Sequence, residues 1–133
     1  MHSADFIRLW SKLTKEMKQH LEEELAPLTE GQLQVLELLT QGDPMKPSDL
    51  VEILETTPAA VTTLLDRMEK GGLIVRERDE KDRRLVWIVV TDKGASECLR
   101  GSDIRNRYVE SRLSGISSHN QQLLVYLLGK VAN

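Results

Sequence analysis

Nine charged side chains stand in a row at residues 76–84, and five of them are basic: Arg76, Arg78, Lys81, Arg83 and Arg84. Glu77, Asp79, Glu80 and Asp82 interleave with them, so the run is close to neutral and too balanced for a general cationic patch. Its chemistry is directional instead. A carboxylate such as Asp82 can hold a neighbouring guanidinium in a fixed orientation through charge-assisted hydrogen bonds. A pre-oriented arginine at a loop tip suits the narrow, electronegative minor groove of duplex DNA. The competing reading is a self-neutralising solvated turn. A second group precedes the run: Thr57, Ala59, Ala60, Thr62, Thr63, Asp66, Arg67 and Lys70. On a helical projection Ala59, Thr63, Asp66 and Lys70 lie opposite the apolar stripe of Val61, Leu64, Leu65 and Met68, with Thr62 and Arg67 on the shoulders. Small residues let a backbone approach a major groove, and threonine offers a hydroxyl to base edges or phosphates and a methyl to thymine. The first-turn amides of such a helix also favour a phosphate. Taken alone, the same residues describe an ordinary surface helix.

The elements that would position these groups follow from local signals. Residues 5–25 predict an amphipathic helix, with Phe6, Trp10, Leu13, Met17 and Leu21 at three- and four-residue steps. Pro27 should end it. Thr29 and Gln32 resemble a capping box opening a second, largely buried helix. A short helix is expected over about 47–54, starting at Pro47. After a tight joint, Thr57 caps and Pro58 opens the helix carrying the second group, and Gly71 or Gly72 stops it. That is a helix-turn-helix pattern. "LIVRER" and "LVWIVVT" are β-rich, with residues 79–84 as the hairpin loop between them. Helix returns at Thr91 or Asp92 and again in "SSHNQQLLVYLLGKV"; Gly94, Gly101 and Gly115 are candidate breaks. The predicted order is α-α-α-α-β-β-α-α.

The totals restrict the function class. A chain of 133 residues with 40% hydrophobic residues and a net charge of −3 reads as one globular domain with helical extensions. Any nucleic-acid function must therefore come from a local patch. No apolar run approaches membrane-span length, and "MHSADFIRLW" lacks a signal-peptide pattern, so a cytoplasmic location is expected. Cys98 is the only cysteine, which excludes an internal disulfide and a cysteine-only zinc site. Its expected role is packing, because Glu97 adjoins it and Arg100 is the only nearby base; an oxidant sensor is the alternative. His20 and Glu24 share a helix face, but His119 is remote, so His20 is read as a surface histidine and neither metal nor cofactor is expected. No nucleophile–base pair or phosphate-binding glycine loop points to an enzyme.

"LTEGQLQVLELL", "KPSDLVEILETTPAAVTTLLDRMEKGGLIVRERDEKDRR" and "VTDKG", together spanning about residues 28–94, resemble the MarR family of bacterial winged-helix transcription regulators. The resemblance implies a mainly α (α+β) fold. A winged helix-turn-helix core at 29–94 would be flanked by dimerisation helices at 1–28 and 95–133. It implies a homodimer on double-stranded DNA at a palindromic operator, more often a repressor, responding to a small-molecule effector or stress. The helix matching 57–70 would enter the major groove. The arginine matching Arg84 would probe the minor groove from the wing, supported by the aspartate matching Asp82, with Lys81 and Arg83 beside them. The chain departs from the family pattern at Ala59, Ala60 and Thr63, which moves the expected readout from base contacts toward groove shape.

Two half-sites about 34 Å apart need a rigid two-fold partner. Phe6, Trp10, Leu13 and Met17, with Leu123, Leu127 and Val131 near the other end, are the expected seam. Leu85, Trp87 and Val89 would leave the second strand apolar on both faces, which predicts local cover or a partner. The rival function is a winged helix used for protein contact without sequence-specific DNA binding.

Overall fold

The computed structural model describes residues 1–133. Helix α1 (Ser3–Leu25) stops before Pro27, whose ring cannot continue it. Helix α2 (Glu30–Gln41) opens on a reciprocal cap: Thr29 Oγ1 accepts the Gln32 N–H at 3.1 Å, and Gln32 Oε1 accepts the Thr29 N–H at 3.2 Å. Helix α3 (Pro47–Ile53) has half of that device. Asp49 Oδ2 accepts the Lys46 N–H at 2.8 Å, but the Lys46 ammonium has no lone pair with which to accept a bond in return. Helix α4 (Pro58–Lys70) begins where Thr57 Oγ1 accepts the Ala60 N–H at 3.1 Å. Gly72, at φ +78°, turns the chain into the hairpin, a conformation that suits a residue without Cβ.

Strands β1 (Ile74–Arg78) and β2 (Val86–Val90) pair antiparallel, with Arg76 opposite Ile88 and Glu77 opposite Trp87. Met45 adds a short arm to the free edge of β2, where its carbonyl accepts the Ile88 N–H at 3.0 Å. Helices α5 (Asp92–Leu113) and α6 (Ser118–Ala132) follow, capped by Thr91 and Ser117. Gly94 and Gly101 do not break α5. A Cβ at Gly94 would overlap the Leu73 carbonyl oxygen, and one at Gly101 would press on the Leu33 side chain. Gly94 lets α5 approach the link between α4 and β1, and Gly101 lets it approach α2, whereas Gly115 lies in the turn between α5 and α6.

One core draws on nearly every element. Leu50, Val61, Leu65 and Met68 of the helix-turn-helix meet Leu33, Val35 and Leu36 of α2 and Ile74 and Ile88 of the hairpin. Each fully buried aliphatic side chain contributes about 1.5–3 kcal/mol. Helix α1 joins only through its second half: Leu21 and Leu25 are buried and Met17 packs against the core, while Phe6, Trp10 and Leu13 are about half exposed. The predicted stripe therefore divides, and Met17 packs at least partly within its own chain. Cys98 is buried, with its Sγ 3.8 Å from Thr40 Oγ1.

Polar ties complete the attachment of α5. Arg105 forks onto Glu37 of α2, with bonds of 2.7 and 2.8 Å. Arg100 donates to the Leu25 carbonyl at the end of α1 at 2.6 Å. His20 is not a free surface histidine: it is half-buried, its ring stacked on Tyr108 with centroids 4.5 Å apart. Helix α6 contributes no buried residue.

Candidate nucleic-acid interface

The caps and the buried stripe of α4 decide what its other face presents. With Val61, Leu65 and Met68 in the core, Thr57, Ala59, Ala60, Thr62, Thr63, Arg67 and Lys70 are all exposed. The Thr57 hydroxyl oxygen is committed to the cap. Thr62 donates its hydroxyl hydrogen to the Pro58 carbonyl at 3.0 Å, which leaves its lone pairs as acceptors. Arg67 and Lys70 make no ion pair and stand as free cations in the last turn.

Asp66 shares that face but is not free. A terminal nitrogen of Arg76, on β1, donates to Asp66 Oδ1 at 2.6 Å, and its Nε donates to Glu69 Oε1 at 2.9 Å. Glu69 Oε2 also accepts the Arg76 backbone N–H at 3.3 Å. One guanidinium thus neutralises both carboxylates of α4 and ties the helix to the hairpin. These bonds, Asp66 first and Glu69 second, hold Arg76 above the ordinary arginine range.

The hairpin loop is organised by two aspartates. Asp79 closes its base, donating its N–H to the Leu85 carbonyl at 2.9 Å. Asp79 Oδ2 accepts the backbone N–H groups of Lys81 and Asp82 at 3.0 and 2.9 Å, an Asx-type turn. Its Oδ1 accepts the Trp87 indole N–H at 3.0 Å. The Trp87 bond first, then the two amides, keep the Asp79 carboxyl below its usual range. Asp82 Oδ1 accepts both the backbone N–H and Nε–H of Arg84 at 3.1 Å, and Oδ2 accepts a terminal N–H at 3.3 Å. Those contacts lower the Asp82 pKa as well, the side-chain bond being the larger cause. The Arg84 side chain is nevertheless 91% exposed, so the carboxylate aims it without covering it. Arg78 donates to the Arg83 carbonyl at 2.8 Å, and Lys81 and Arg83 stand exposed without ion pairs.

Trp87 has local cover of an unexpected kind. The Lys46 ammonium lies over its ring, 5.3 Å from the centroid, and the ring is half-buried. Val75 and Val89, paired across the strands on the same face, remain 39% and 38% exposed. The sequence pointed to α4 and to Arg84 with Asp82. It missed Arg76, Asp79 and Trp87 as organisers. Only Asp79 carried a local signal, the aspartate-led turn; the other two act through contacts to other elements.

A family model described as the MarR family matches residues 28–86, from the link before α2 to the start of β2. The transcriptional regulator HosA of Escherichia coli O157:H7 is 30% identical over 110 residues, covering 83% of this chain and 82% of HosA. The chain belongs to the MarR family. Among solved structures, the YusO protein of Bacillus subtilis is 29% identical with a TM-score of 0.81, over 97% of this chain and 90% of YusO. A cysteine-to-serine mutant of MarR from E. coli, complexed with operator DNA, is 26% identical with a TM-score of 0.74, over 95% of this chain and 92% of that one. Other curated MarR-type relatives are longer: the chain spans 65%, 54% and 62% of the length of three from B. subtilis. MarR membership accounts for the six helices around a two-stranded wing.

Proposed function

We propose that the chain is a sequence-specific DNA-binding transcription regulator, acting as a homodimeric repressor on a palindromic operator. The observation that carries this is the joint exposure, on one lobe, of the small-residue face of α4 and an arginine held outward by its own carboxylate clamp. Helix α4 would enter a major groove through Ala59, Ala60, Thr62 and Thr63, with Arg67 and Lys70 toward phosphates. Arg84 would enter the adjoining minor groove, flanked by Lys81 and Arg83. With Asp66 and Glu69 already neutralised by Arg76, α4 presents little negative charge to the duplex.

The homodimer is supported by the apolar surface left at the chain's two ends. Phe6, Trp10, Leu13, Leu123, Leu127 and Val131 are between 46% and 68% exposed. A second copy would cover them, making 1–28 and 95–133 the dimerisation region around a DNA-binding core at 29–94. A small effector would act at the junction of these regions, where a cavity of about 440 Å³ is lined by Leu21, Leu33, Gln34, Glu37 and Arg105. No helix is long and apolar enough to cross a membrane.

Fluorescence anisotropy against random duplexes and duplexes from upstream of the chain's own gene, over a salt series, tests the function. The expected result is a preferred palindrome with a steep salt slope. A slope near zero and no preferred duplex would leave the winged helix as a protein-contact module.

A further inference from the structure

We propose that Trp87 is a positioning residue for DNA recognition, fixing the direction of Arg84 relative to α4 without touching DNA itself. This role rests on the operator-binding function above. A continuous chain of hydrogen bonds leads from the indole to the wing tip. Trp87 Nε1 donates to Asp79 Oδ1, Asp79 Oδ2 accepts the Asp82 N–H, and the Asp82 carboxylate holds the Arg84 guanidinium. Each step is 2.9–3.1 Å, within ordinary hydrogen-bond range.

The other end of the chain is anchored to the helix-turn-helix. The Lys46 ammonium lies over the indole face and 3.9 Å from Asp49 Oδ2 in the first turn of α3. The Lys46 backbone N–H is bonded to the same carboxylate, and neighbouring Met45 is bonded to β2. Because α3 packs on α4 through the shared core, the indole refers the loop apex to the helix proposed for the major groove. Two grooves are read together only if the spacing between these parts is fixed. A phenyl ring at position 87 would keep an aromatic face for the Lys46 ammonium and cut the link, having no N–H.

Trp87→Phe makes that cut, and two measurements read it. The first needs no DNA: tryptic cleavage after Lys81, Arg83 and Arg84 should speed up, because the loop opens more often, while the far-UV circular dichroism stays that of the wild type. The second is affinity for the selected operator, expected to fall about five- to tenfold, the scale of one ordinary net hydrogen bond. The salt slope should not change, since no phosphate contact is removed. In an Arg84→Ala background the same substitution should cost almost nothing, since Trp87 acts through Arg84. An equal loss in both backgrounds, or a slope reduced by about one, would overturn the proposal. Unaltered cleavage would overturn it whatever the DNA result. Faster cleavage in a protein whose wild type prefers no duplex would refute the operator function itself, and this role with it. Should Trp87→Phe fail to fold, Asp79→Asn cuts the same chain of bonds from the other side, because its single amide oxygen cannot serve both the indole and the turn amides, and it must show the same pattern.

Discussion

At the scale of single residues, recognition depends on how charge is aimed more than on how much is present. Arg84 is held by three hydrogen bonds to one carboxylate while almost all of its surface stays open. Arg84→Ala should therefore weaken operator binding by about 1–3 kcal/mol, the range for one specific groove contact. The thermal midpoint should stay unchanged, because no buried contact is lost. Anisotropy and circular dichroism on the same preparation check both halves, and an unaltered affinity would remove the wing from the mechanism. Asp82→Ala should act in the same direction with a smaller loss, since the guanidinium remains but is no longer aimed. Arg76 is the contrast: an arginine in the same run whose guanidinium is consumed by two carboxylates of α4. The sequence pointed to Arg84 with Asp82, but only the fold shows that Arg76, in the same run, is spent on α4.

At the scale of elements, legibility tracks distance along the chain. The caps at Thr29, Thr57 and Thr91 are readable because each partner lies three residues away. The Glu37–Arg105 fork spans 68 residues and has no local signature. The glycines of α5 read as candidate breaks, because a close approach of the helix to its neighbours looks like a helix-breaking residue until the neighbour is known. Gly94→Ala places a methyl against the Leu73 carbonyl, so it should destabilise by about 1–3 kcal/mol, the scale of overpacking, measurable as a lowered urea midpoint with an unchanged slope. Glu37 carries a pH signature. The Arg105 hydrogen bond, its largest influence, lowers its pKa from the ordinary 4.5, although desolvation opposes this. A carboxylate depressed in the folded state contributes stability above its unfolded pKa and loses it as pH falls through the folded value. Glu37→Gln should therefore cost about 1 kcal/mol near neutral pH, a modest figure because Arg105 is partly exposed. The gap to wild type should shrink as pH drops below 4.5, and a gap independent of pH would show that the pair contributes little.

At the scale of the whole molecule, the chain divides into a well-packed lobe and two ends that lack packing of their own. The lobe's core is legible from apolar periodicity, and so is the apolar character of the ends; which residues of α1 face inward is not. Leu21 and Leu25 share a stripe with Phe6 and Trp10, yet only the first pair is buried. Leu123→Glu combined with Leu127→Glu should leave the lobe folded and yield a monomeric mass by sedimentation at micromolar concentration. Operator affinity should fall by roughly a hundredfold or more through loss of the second half-site. A monomeric wild type under the same conditions would contradict the proposed assembly.

Helix α6 has no fully buried residue within the chain, and the proposed dimer would tie the folding of this final segment to abundance. If a second copy supplies the missing cover, the melting temperature should climb with protein concentration, and operator occupancy should follow roughly the square of chain number while free monomer predominates. A modest change in synthesis or turnover would then move the promoter across a threshold, making dosage an input alongside any chemical signal.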